Sequence, residues 1–126
     1  MAQPIFHLVP ADYYHSQPQD QPYRPATFAQ EGFVHCTAGA DLLVEIANTY
    51  FDSLPGQLLV LEIDPQCLTA PLKFEPPIPP PEQASAGPAV STLFPHIYGP
   101  LNRDAIIKCF ALQRNDAGQW QMPAEN

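Results

Sequence analysis

Apolar residues along this chain recur in short runs, most of them of strand length. In Ile5-Phe6-His7-Leu8-Val9 the side chains of Phe6 and Leu8 fall on one face and those of Ile5, His7 and Val9 on the other, and Pro10 stops the run. A single helical turn is expected between Pro10 and Ser16, followed by a polar, proline-punctuated loop over residues 17–25. Gly32-Phe33-Val34-His35-Cys36 restores the strand pattern, with Thr37 placed to cap the next element. Leu43, Ile46, Ala47 and Tyr50 then stand at i, i+3, i+4 and i+7. That spacing predicts one amphipathic helix over about 38–51, its outer face carrying Asp41, Glu45, Asn48 and Asp52, and Pro55-Gly56 ends it.

The second half of the chain reads as strands and loops. Leu58 to Ile63 is almost continuously apolar, Leu72 to Glu75 is a shorter run closed by Pro76-Pro77, and residues 105–113 form another. Asn115-Asp116-Ala117-Gly118 signals a hairpin leading into residues 120–122. Residues 76–95 hold most of the proline excess, so a long irregular excursion is expected there, placed to border or cover a cleft. The expected architecture is a single α+β domain over 1–126, a small bent or split mixed β-sheet with one main helix.

Composition narrows the function classes. Seventeen prolines in 126 residues suit strands and loops rather than helices. Five Lys and Arg against 13 Asp and Glu give a net charge of −8 with no basic cluster, so the counterion release that drives nucleic-acid binding is missing. Neither a secretory leader nor an apolar run of membrane-spanning length is visible, and three cysteines without a CxxC pair suit reduced thiols, so a cytoplasmic protein is expected.

The chemistry rests on histidines. Three of the four, His7, His35 and His96, sit inside apolar strand-like runs, where a neutral imidazole needs a partner; His15 lies in the polar loop and reads as solvated. His35 and Cys36 are adjacent in a strand and point to opposite faces, so no local thiolate–imidazolium pair forms, and Cys36 reads as a small buried thiol. Glu75 is the candidate functional carboxylate. Three imidazoles plus Glu75 also raise metal binding by composition, yet no HxxxH or HxH spacing supports it and no metal ligand is assigned. The phosphate-loop, dinucleotide and nucleophile-elbow motifs are missing.

Three blocks in order, Ile5 to Pro10, Glu31 to Thr37 and Phe94 to Leu101, with Lys73-Phe74-Glu75 between, closely resemble the uncharacterised bacterial family called domain of unknown function 952. That family in turn looks like a small member of the ADP-ribosyltransferase fold, which implies that His7 orients a ribose of NAD. The usual late-strand glutamate is missing at His96-Ile97-Tyr98, with Glu75 as its substitute. The resemblance implies a cleft binding NAD, ADP-ribose or a related nucleotide through His7, His35 and His96, with Thr37, Tyr98 and Gly99 as ligand contacts. An active ADP-ribosyl- or phosphoribosyl-type transferase or hydrolase is the alternative. The three strand histidines and Tyr98 are expected to converge on one concave site, with Glu75 at its rim and His15 outside.

Overall fold

The protein is described, in a computed structural model, over residues 3–76 and 93–123. β1 (Ile5–Pro10) pairs antiparallel with β3 (Leu58–Ile63), and β3 with β6 (Ile106–Ala111), giving a three-stranded sheet of order β1-β3-β6. The apolar continuity of β3 has a direct cause, because both of its faces are buried. Leu59, Leu61 and Ile63 join one core with Ile5, Val9 and Tyr23, while Leu58 and Val60 join another with Phe6, Leu43, Ala47 and Trp120.

The second sheet is built from β2 (Val34–His35), β4 (Leu72–Glu75) and β5 (Phe94–Ile97), in the order β2-β5-β4. Its inner face, with Val34, Cys36 and Ile97, packs into the core shared with the first sheet. The two sheets are stitched at one point, where Phe6 and Thr37 exchange backbone hydrogen bonds of 2.8 and 2.7 Å. The split sheet read from the sequence is therefore present. Its mixed character is not: every strand pair among the described residues is antiparallel. A parallel pair needs a crossover that returns to its own sheet, whereas the chain leaving β2 runs through α3 (Ala40–Tyr50) into β3 of the other sheet.

Two short helices complete the first half. α1 (Ala11–Ser16) follows Pro10 as expected, and α2 (Phe28–Glu31), which has no buried residue to give it a periodic signal, is closed by Gly32 in the left-handed region at φ 81°. α3 starts two residues later than its spacing suggests. Thr37 does not cap it; its backbone is committed to Phe6, and Gly39 precedes the first turn at φ 101° with no side-chain cap. The 76–95 excursion is described only at its ends, and its course over 77–92 lies outside the described residues.

The hairpin of β7 (Gln113–Arg114) and β8 (Trp120–Gln121) forms where Asn115 to Gly118 predicts it. One residue fastens it to α3. Asn48, read from spacing as part of the solvated face, accepts from the Trp120 amide at 2.7 Å and donates to the Trp120 carbonyl at 3.1 Å. Asn48→Ala should therefore cost about 2 kcal/mol, because it strands two backbone groups beside a buried tryptophan. Chemical denaturation measures this, and a change within a few tenths of a kcal/mol would show that the clamp carries no weight.

Candidate functional site

Alternation along β2, β4 and β5 sorts the second sheet into two faces. Val34 faces Ile97 across one pair and His35 faces His96 across the next, and Lys73 faces His96 from the other side. The apolar members turn into the core, so Phe33, His35, His96, Tyr98, Lys73 and Glu75 share the opposite face. On it Phe33 stacks on the His96 ring at 4.3 Å and 26°, and the His35 ring meets His96 edge-on at 5.3 Å.

Each of these two imidazoles is held by a glutamate. His96 Nδ1 donates to Glu75 Oε1 at 2.8 Å, and the same oxygen accepts the Tyr98 hydroxyl at 2.5 Å. The tyrosine bond first, then the imidazole bond, hold the Glu75 carboxyl below its usual range, and Lys73 adds to this. His35 Nε2 pairs with Glu31 Oε1 at 2.8 Å, one helical turn earlier in the chain. Burial lowers the His35 pKa despite the opposing pull of Glu31.

The free nitrogen of His96 can be located by elimination. The residue is 1% exposed, and every fully buried side-chain nitrogen or oxygen among the described residues has a partner. Nε2 has none there, so it is the atom through which the ring reaches open space. The same reasoning applies to the Thr37 hydroxyl.

His7 is arranged differently. Its Nδ1 lies 2.6 Å from the His35 carbonyl, which can only accept, so Nδ1 carries the proton; Nε2 then accepts the Tyr23 hydroxyl at 2.9 Å. Burial drives its pKa down to about 4, and the ring is neutral at pH 7. Tyr23 is itself fully buried, which also pushes its phenol pKa up, and its backbone is bridged to Leu101 at 2.8 and 2.9 Å.

A cavity of about 730 Å³ is walled by β1, β2, β5, the 23–27 segment and α3. His7, His35, His96, Thr37 and Cys36 line it, as do Glu31 and Tyr23. Tyr98, Gly99 and Glu75 do not line it. Glu75 and Tyr98 stand behind His96 and act on the cavity only through it. Gly99 has a packing reason for its identity, because a Cβ there would come within 2.6 Å of the Ala70 Cβ. His15 is exposed and outside the cavity, and the buried Cys36 thiol has its pKa raised by burial. Among the described residues no group of three or more His, Cys, Asp or Glu side chains is placed to hold a metal ion.

Three residues of this arrangement were not singled out from sequence. Glu31 ends α2 and His35 lies in β2, so no spacing within a single element flags the pair. Phe33 was visible only as a strand residue. Tyr23, in a polar loop, gives no local signal. The apolar stripe of α3 also divides: Leu43 and Ala47 enter the core, whereas Ile46 and Tyr50 face the cavity.

Fold and site together define a small α+β protein with two three-stranded antiparallel sheets, a two-stranded hairpin and a histidine-lined cavity. Over residues 8–109 the chain matches the family described as "Protein of unknown function (DUF952)", and it belongs to that family. Its fold is shared with the X-ray crystal structures of protein CC0527 from Caulobacter crescentus and of a double mutant of it. These are 21% and 20% identical to this chain, with 94% of each chain covered and a TM-score of 0.70. No curated protein matches the chain. No helix among the described residues is long and apolar enough to cross a membrane.

A pH dependence follows from His7. Its folded pKa lies below the ordinary 6.5, so the unfolded chain takes up the proton first, and the contribution of His7 to stability is complete above pH 6.5. It should be lost as pH falls from 6.5 to about 4, by about 3 kcal/mol at most, with His35 acting in the same direction. Denaturation midpoints between pH 7 and 4 measure the slope. His7→Gln should flatten it, and an unchanged slope in that variant would contradict the assignment.

Proposed function

We propose that the histidine-lined cavity binds a ribosylated small molecule of the class of NAD, ADP-ribose or a related nucleotide. The observation that supports this best is the Glu75–His96 pair: a buried imidazole oriented by a carboxylate at Nδ1, with Nε2 left free to hydrogen-bond inside the cavity. A ribose hydroxyl, which can donate or accept, is a natural partner for such a nitrogen. The Thr37 hydroxyl and His35 offer further polar contacts beside it, and Tyr13, Tyr50 and Phe51 offer ring surface for a base.

The resemblance of the His7, Gly32 to Thr37 and His96 blocks to an ADP-ribosyltransferase-like layout points to the same ligand class. His7 serves differently from what that resemblance implies. With both nitrogens engaged, it shapes the wall and leaves ligand contacts to His35, His96 and Thr37. Glu75, the carboxylate a transfer reaction would need at the ribose, is committed to His96 and Tyr98 behind the wall. That favours binding over transfer.

Titration calorimetry with NAD, ADP-ribose, AMP and adenosine tests the reading. At least one should bind saturably, and His96→Ala should weaken it tenfold or more while the circular-dichroism spectrum stays near that of the parent. Binding that is indifferent to His96→Ala, or no binding to any of the four, would overturn it.

A further inference from the structure

Charge is the least expected property of this cavity. All five lysines and arginines of the chain, Arg24, Lys73, Arg103, Lys108 and Arg114, fall within the described residues, and none lines it. Most have other work. Arg103 holds the Gln21 and Pro18 carbonyls, Arg114 holds those of Gly118 and Leu54 over the Trp120 ring, and Lys73 sits 4.7 Å over the Tyr98 ring. Lys108 faces Glu62 across β6 and β3, and Arg24 is exposed beside the wall.

The imidazoles add little positive charge. His7 and His35 are held below the ordinary imidazole range, and His96 is bonded to the Glu75 carboxylate, which offsets it. Glu31, paired to His35, is the charged carboxylate in the wall. The site is therefore neutral to negative, in a protein of net charge −8.

We propose that this cavity selects by charge: it takes the phosphate-free, neutral or cationic part of a ribosylated ligand, in effect a nucleoside, and Glu31 makes each added phosphate unfavourable. This rests on the binding reading above and narrows it. Phosphates, where the ligand has them, stay in solvent. The physical basis is that a dianion needs several donors or cations to replace its water, and the described wall carries a carboxylate instead.

The test is a phosphate ladder in two series at low, fixed ionic strength: adenosine, AMP and ADP, and nicotinamide riboside and its mononucleotide. Dissociation constants should rise about fivefold with each phosphate in the series that binds, as expected for like charges roughly 8 Å apart in a partly solvated site. The gradient should shrink at 0.5 M NaCl and in Glu31→Gln, which keeps an oxygen for His35 while removing the charge. Affinity that is flat or rises with phosphate would overturn the charge selection and leave the ribosyl reading standing. Failure of all five compounds, and of NAD and ADP-ribose beside them, to bind would remove both.

Discussion

The hydrogen bond from His7 Nδ1 to the His35 carbonyl holds the two sheets of this protein in register where they part. It crosses from β1 to β2 one residue beyond the Phe6–Thr37 stitch, so the seam has a backbone closure and a side-chain closure side by side. Burying an imidazole there is tolerable only because Tyr23 supplies the second partner, and Tyr23 is in turn locked by its backbone to Leu101. The seam residues His7, His35 and Thr37 all line the cavity, and Ile46 and Tyr50 of α3 complete its wall. The His7 ring thus serves the site by architecture, and His35 and His96 supply its chemistry.

Much of this fold was legible in the sequence, and the parts that were not share a cause. Strands β1, β3 and β4, the helix α3 and the β7–β8 hairpin announce themselves because alternation, helical spacing and turn residues are local properties. The pairing direction of the strands is not local, so the expected mixed sheet came out antiparallel. Thr37 and Asn48 misled for the same reason. A threonine before a helix looks like a cap until a neighbouring strand takes its backbone, and an asparagine on a polar helix face looks solvated until a hairpin lands on it.

The site shows the same division. His35 and His96 stood out as polar residues in apolar runs, whereas the face they share is set by the pairing of β2 with β5. Their partners split by distance: Glu75 was visible as the end of a strand, whereas Glu31 lies on a four-residue helix with no buried residue and hence no periodic signature. Tyr98 and Gly99 were grouped with the cleft because they adjoin His96 in the chain. Tyr98 instead braces Glu75 from behind the cavity wall, and Gly99 makes room for Ala70.

The pairing of His35 with His96 across β2 and β5 has a further consequence for how such a site can change. Strand pairing moves in whole residues, and a slip of one in β2 would exchange Val34 for His35 at the cavity and drive the imidazole into the core. The two rings are therefore set in discrete steps, with no gradual drift between a working and a broken arrangement. A lineage carrying this fold can vary the loops and the α3 wall freely, and so retune what enters, while the spacing of the imidazoles stays a counted quantity that substitution alone does not alter.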